Sequence, residues 1–143
     1  MVENWNSVVQ PSDTVYHLGD VYFGKVNAEI VHRLNGRKYL ILGNHDDTRC
    51  PVLNKAFRKI RLWVPIKDKG IVLSHVPVHP DQLDTYEAGV NVHGHIHDRV
   101  ISDPRYINVS VEQTNYTPIH LDEVRKLANG FLKKRKTSLG VRR

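Results

Sequence analysis

Apolar and polar positions along the chain change period several times, and each change marks an element. Val2, Trp5, Val8 and Val9 recur at helical spacing and predict a first helix, which Gln10-Pro11-Ser12-Asp13 stops in a turn. "TVYHL" predicts a short strand running into Gly19-Asp20. "KVNAEIVHRLNG" predicts an amphipathic helix with Val26, Ile30, Val31 and Leu34 on one face and Gly36 just past its end. "KYLIL" is a second strand, and "PVLNKAFRKI" a short helix. "RLWVPIKDKGIVLSH" reads as a hairpin turning at Asp68-Lys69-Gly70. "GVNVHGHIHD" is a short strand entering a polar loop, and "RYINVSV" another strand. After an extended start, "TPIHLDEVRKLANGFLKKRK" predicts a last helix capped by Asp122 and carrying Val124, Leu127, Phe131 and Leu132. Mixed helices and strands in this order predict an α/β architecture.

The strands share an unusual ending. "LGD", "LGNHD", "LSH" and "VHGHIH" each follow an apolar run. In layered α/β folds ligands bind outside the carboxyl ends of strands, so Asp20, Asn44, His75 and His95 are expected around one point. Glycines before Asp20, Asn44 and His95 are expected to permit tight turns there.

Composition narrows the setting. With 143 residues, 40% of them apolar, the chain suits one domain with a real core. We expect that domain over residues 1–132 and a basic tail over 133–143, "KKRKTSLGVRR". The tail carries much of the net charge of +6 and is a candidate for an anionic partner such as nucleic acid, although solvated termini are commoner. No apolar run approaches the roughly 20 residues of a membrane helix, and the first residues lack a signal-peptide pattern. A single cysteine, Cys50, excludes an internal disulfide framework and a multi-cysteine zinc site, so a cytoplasmic setting is expected.

Carboxylate, amide oxygen and imidazole donors together suit borderline divalent cations such as manganese, iron, cobalt or zinc. His45, beside a candidate ligand, has the chemistry to protonate a leaving group or steady charge on a phosphoryl oxygen, and Asp46 to orient its imidazole. Were residues 93–97 extended, His93, His95 and His97 would share one side, as a metal pair or merely a solvated row. Alternation places His17 opposite Asp20, which removes it from the ligand set. The loop "VPVHPDQLDTYEAG", with His79 and Tyr86, is expected to line the site.

"HLGDVYFG", "LILGNHDD", "IVLSHVP" and "NVHGHIHD", in this order, resemble the signatures of the calcineurin-like metallophosphoesterase superfamily, and its small single-domain bacterial and phage members most. The resemblance implies two facing mixed β-sheets flanked by helices, with two metals (Mn, Fe, Zn, Co or Ni) at the strand ends. It implies that Asp20 bridges them, that Asn44, His75 and His95 complete one site, and that His97 belongs to the other. His45 would contact the scissile phosphate, and metal-activated water would hydrolyse a phosphomonoester or phosphodiester.

One signature is absent: no Asp-x-His pair occurs in the 143 residues, and the family's first strand is expected to be missing with it. A truncated product, a degenerate member with one good metal site, and ligands borrowed from His17, His93 or a neighbouring chain are three accounts of this. Such a loss would expose a sheet and favour oligomers. One cation is expected to bind well and a second weakly, with reduced hydrolysis. The rival expectations are a weak or inactive member that binds an anionic partner through its tail, and a module whose metal only holds the strand ends together.

Overall fold

The computed structural model describes residues 1–23 and 28–128, so the basic tail, Phe131, Leu132 and Val26 lie outside the described residues. The chain is α/β, with two sheets flanked by helices.

The first sheet contains β1 (Thr14–His17), β2 (Arg37–Ile41) and β3 (Ile60–Arg61), all parallel, in the order β1-β2-β3. It is therefore not mixed, unlike the expectation. The second holds β4 (Trp63–Ile66), β5 (Ile71–Ser74), β6 (Val90–His93) and β7 (Tyr106–Asn108) in sequence order. Here β4 and β5 form the expected antiparallel hairpin, with Gly70 left-handed at φ 64, and β5, β6 and β7 run parallel.

Period-2 alternation explains how the sheets are covered. Leu40 points into a cluster with Val31, Leu53 and Phe57 beneath α2 (Pro51–Ala56). Its neighbour Ile41 points the other way, into the core shared with Ile71, Leu73, Val90 and Val92 of the second sheet. Val72, on the far side of β5, packs with Leu83 of α3 (Pro80–Thr85) and Ala88. Strands buried on both faces read as apolar runs, and this is why "YLIL" and "IVLS" are so hydrophobic. Among the described residues β1 pairs with β2 alone, leaving its outer edge unpaired.

Two helix expectations change. Over the described part of "KVNAEIVHRLNG" the chain forms a 3-10 turn, Ala28–Arg33, in which only Val31 is buried and Ile30 is 42% exposed. One anchoring side chain does not make a continuous apolar face. In α4, residues 121–128, Val124 and Ala128 face the core while Leu127 is 66% exposed. The cap there is His120, whose Nδ1 accepts the Asp122 N–H at 3.2 Å, rather than Asp122 itself. The first helix, α1 (Val2–Val8), buries none of its own residues and is docked by polar exchange: Trp5 Nε1 donates to Asn35 O at 3.0 Å, and Asn35 N to Asn6 Oδ1 at 2.9 Å.

His17 sits between Trp5 and Phe57, with ring centroids at 6.3 and 6.1 Å. Some of its area stays exposed, yet the surrounding protein is dense enough that desolvation pushes its pKa below the usual 6.5. The folded state therefore binds fewer protons at His17 than the unfolded chain, so its neutral form supports folding above the unfolded pKa. That support is lost as pH falls below about 6.5. Unfolding midpoints should drop between about pH 7.5 and 5.5, and drop less in His17→Phe, when followed by circular dichroism.

Asn91 is completely buried in β6 and fully engaged. Its amide donates to Val72 O (3.1 Å) and Ser74 Oγ (2.9 Å) and accepts from Val78 N (3.0 Å), tying β5 to the chain that follows it. Asn91→Leu orphans these groups and should cost about 2–3 kcal/mol, seen as a lower denaturant midpoint at unchanged slope.

Candidate metal centre

Strand ends from both sheets deliver the candidate ligands. Asp20 follows β1, Asn44 follows β2, His75 follows β5 and His95 follows β6. His75 is the hub and is 5% exposed. Its Nδ1 lies 2.7 Å from Leu18 O, an acceptor only, so Nδ1 carries a proton, and in the neutral ring the lone pair is on Nε2. Around Nε2 stand Asn44 Oδ1 at 2.9 Å, His95 Nδ1 at 3.1 Å and Asp20 Oδ2 at 3.4 Å.

An amide oxygen, a carboxylate oxygen and two imidazole nitrogens thus converge. Asp20, His75 and His95 offer donor atoms all within 4.8 Å of one another. Ligands about 2.0–2.2 Å from a common cation lie roughly 3 Å apart, and the three distances at His75 Nε2 are of that size. His95 is exposed by area, but partial desolvation and the neighbouring His75 lower its pKa, which favours the neutral imidazole that a cation requires. The donor set fits a divalent cation.

Close backbone approach makes the convergence possible. Gly19 has φ 95, and a Cβ there would meet Gly43 N and His75 Nδ1, each at 2.6 Å. A Cβ on Gly43 would overlap the Asp20 carboxylate. Gly43 is thus required for lack of bulk rather than for an unusual φ, and Gly94 by neither reason, its nearest neighbour being 3.7 Å away. Asp20, His95 and His97 adopt left-handed φ of 54, 67 and 54. Non-glycine residues there store about 1–3 kcal/mol each.

These dihedrals overturn the extended reading of "HGHIH". The strand stops at His93. His93 is buried against the Tyr106 ring, centroids 6.1 Å apart, and His97 is outside the cluster. His97 Nδ1 instead meets Glu112 Oε1 at 2.8 Å, and this N–H holds the Glu112 carboxyl below the usual carboxylate range. His17 also stays outside; its Nδ1 accepts the Gly19 N–H at 3.2 Å and so shapes the turn before Asp20.

Asp46 has a different task from the one expected. Its Oδ2 accepts from Gly43 N and Asp20 N, both at 2.9 Å, and its Oδ1 accepts from Val21 N at 2.8 Å. Both oxygens are committed to backbone, so Asp46 orients the two ligand loops and not the His45 imidazole. His45 is exposed, its N–H donates to Asp20 Oδ1 at 3.0 Å, and its ring lies 4.8 Å from that of Phe23. In the loop expected to line the site, His79 caps α3 by accepting the Asp81 N–H at 3.4 Å, and Tyr86 packs against Trp63 at 6.1 Å. A groove of about 190 Å³ lined by Tyr16, Tyr39, Lys59, Arg61 and Val64 contains none of the cluster.

Comparison with known proteins supports the architecture. No protein-family model matches the chain. The uncharacterized protein MJ1445 of Methanocaldococcus jannaschii is 34% identical over 139 residues, which cover 89% of this chain and 72% of that protein. The chain belongs to the MJ1445 family. The gene 66 protein of Mycobacterium phage D29 is 29% identical, over 90% of this chain and 81% of its own. The crystal structure of the protein of unknown function AQ665 from Aquifex aeolicus is similar with a TM-score of 0.66 and 31% identity, over 88% of this chain and 82% of that one. None of these proteins is named for a reaction.

Asp46→Asn replaces one acceptor by an amide that faces backbone N–H donors. It should cost about 1–3 kcal/mol and weaken Mn²⁺ binding in calorimetry. A purely His45-orienting role would leave that binding intact.

Proposed function

We propose that the chain carries a metal-dependent phosphoesterase centre of the calcineurin-like type, hydrolysing a phosphomonoester or phosphodiester with water. The observation that carries this reading is the gathering of Asn44 Oδ1, His95 Nδ1 and Asp20 Oδ2 around His75 Nε2, with the Nδ1 proton of His75 taken up by Leu18 O. A divalent cation would accept all four of these atoms as ligands. The four strand-end signatures that resemble this superfamily, and two sheets sharing one core, support the same reading.

Asp20, Asn44, His75 and His95 would hold the first cation, and His97 with Asp20 a second, weaker one. A bound divalent cation supplies Lewis acidity, which polarises the phosphoryl group and makes water a better nucleophile. Water attacks phosphorus and releases a proton to solvent, the bond from phosphorus to the ester oxygen breaks, and His45 passes a proton to the departing oxygen. The placement of His45 supports this role: its backbone is tied to Asp20, and the residue is exposed with its ring against Phe23. Asp46 acts at one remove, by keeping the Asp20 and Asn44 loops together.

Hydrolysis of p-nitrophenyl phosphate and bis-p-nitrophenyl phosphate should require Mn²⁺ and vanish with chelator, and calorimetry should resolve one tight and one weak binding event. His45→Ala should lower kcat by about 10²–10⁴ while metal content is kept. Asn44→Ala should lose metal. Turnover indifferent to chelator, or His45→Ala that loses metal and keeps its rate, would refute the assignment.

A further inference from the structure

His93 is not among the candidate ligands, yet it is completely buried at the end of β6, against the Tyr106 ring. Its Nδ1 lies 3.0 Å from the carbonyl oxygen of its neighbour Gly94, and its Nε2 has no hydrogen-bond partner among the described residues. Both nitrogens point to one tautomer. Gly94 O can only accept, so Nδ1 carries a proton. A proton on Nε2 instead would bury an N–H with no acceptor, which folded proteins avoid. Phenylalanine would fill this place without leaving a polar atom unpaired, so packing alone gives no reason for an imidazole.

The Gly94 carbonyl is where the Nδ1 proton matters. It also accepts the Ile96 N–H at 2.8 Å, a bond between residues two apart that closes a γ-type turn around His95, whose φ is 67. Turns of this kind with a positive φ at the centre are rare and strained. One bond is a slender hold on such a turn, and His93 supplies a second to the same oxygen. The rest of the mount is tied down: Val109 N donates to His93 O at 2.8 Å, and Gly94 N to His75 O at 3.0 Å. Beyond the turn, His95 Nδ1 stands 3.1 Å from His75 Nε2.

We propose that His93 is a positioning residue whose buried Nδ1–H grips the Gly94 carbonyl, holds the turn around His95 closed and so keeps the His95 imidazole against His75. Its consequence for cation binding at Asp20, Asn44, His75 and His95 rests on the metal-dependent reading above.

The test uses the full chain with ¹⁵N-labelled histidine at about pH 8, where histidines are largely neutral. Without metal, wild-type His93 should show the Nδ1–H pattern in long-range ¹H–¹⁵N spectra. The His75 and His95 rings, with centroids 4.9 Å apart, should show a nuclear Overhauser contact. His93→Phe keeps an aromatic ring but removes the donor, and should lose that contact. His93→Asn, whose amide N–H can take the place of Nδ1–H, should retain it. In calorimetry Mn²⁺ should bind His93→Phe about 10–100-fold more weakly than wild type, and His93→Asn closer to wild type. Asn91→Leu, two residues earlier on the same face of β6, should lower stability yet leave the Mn²⁺ affinity unchanged, which separates positioning from loss of stability. An Nε2–H tautomer of His93 in the wild type overturns the proposal. So does His93→Phe with ring contact and affinity intact, or an affinity that falls as far in Asn91→Leu as in His93→Phe. Should His93→Phe fail to fold, His93→Gln, whose amide reaches the place of Nε2 instead, takes its part with the same expected losses. A wild type that binds no Mn²⁺ would defeat the metal-dependent reading, and the tautomer and the ring contact would then decide the role of His93 by themselves.

Discussion

The Asp46 carboxylate joins the ends of two neighbouring parallel strands, and the candidate centre depends on that junction. It accepts N–H groups from Gly43 on its own loop and from Asp20 and Val21 on the loop after β1. Charge-assisted bonds of this kind are stronger than neutral ones. They draw the loops so close that a methyl group on Gly43 would occupy the space of the Asp20 carboxylate. The return contact, from His45 N to Asp20 Oδ1, closes the arrangement. One carboxylate therefore orders backbone while the other is left to face the cluster with its Oδ2.

The second sheet contributes through a different constraint. His75 terminates a strand whose residues are all buried, so its ring enters the centre from a rigid base. The Leu18 carbonyl, at the end of a strand in the other sheet, then sets its tautomer. A single hydrogen bond between the sheets thus decides which imidazole nitrogen is available for chemistry. Placing one anion, one amide and two imidazoles at ligand spacing is costly for folding alone. The stability needed for it comes from the apolar core below, where Ile41, Ile71, Leu73, Val90 and Val92 meet.

The strands were legible in the sequence because most are apolar on both faces and end abruptly in Gly, Asn, Asp or His. "YLIL" and "IVLS" announce themselves in this way. The convergence of Asp20, Asn44, His75 and His95 was also legible, since strand ends at one edge of a layered fold share a surface. Contacts that join distant segments were not. The backbone-binding task of Asp46 depends on a loop 26 residues earlier, and Glu112 meets His97 across 15 residues. A carboxylate in sequence carries no mark of whether its partner is an imidazole, a cation or an amide N–H. The helix expectations failed for a related reason: spacing alone placed Leu127 on the buried face, whereas packing selected Val124 and Ala128.

The failure of alternation after His93 explains how one short segment can serve several points. In an extended chain, residues 93, 95 and 97 would share a side and compete for a single location. Left-handed turns at His95 and His97 break that geometry. His93 stays in the interior, His95 reaches His75, and His97 turns to Glu112. Each turn costs conformational energy that the local fold must offset. The Asn108 and Gln113 bonds to the His97 carbonyl act at that residue. At His95 the only contacts of the ring among the described residues are those of the cluster. A cation bound in common with His75, as the proposed function has it, would add a bond at that strained residue. The left-handed dihedral at His95 is thus what brings its ring to His75, and without it the strand end would carry the ring elsewhere.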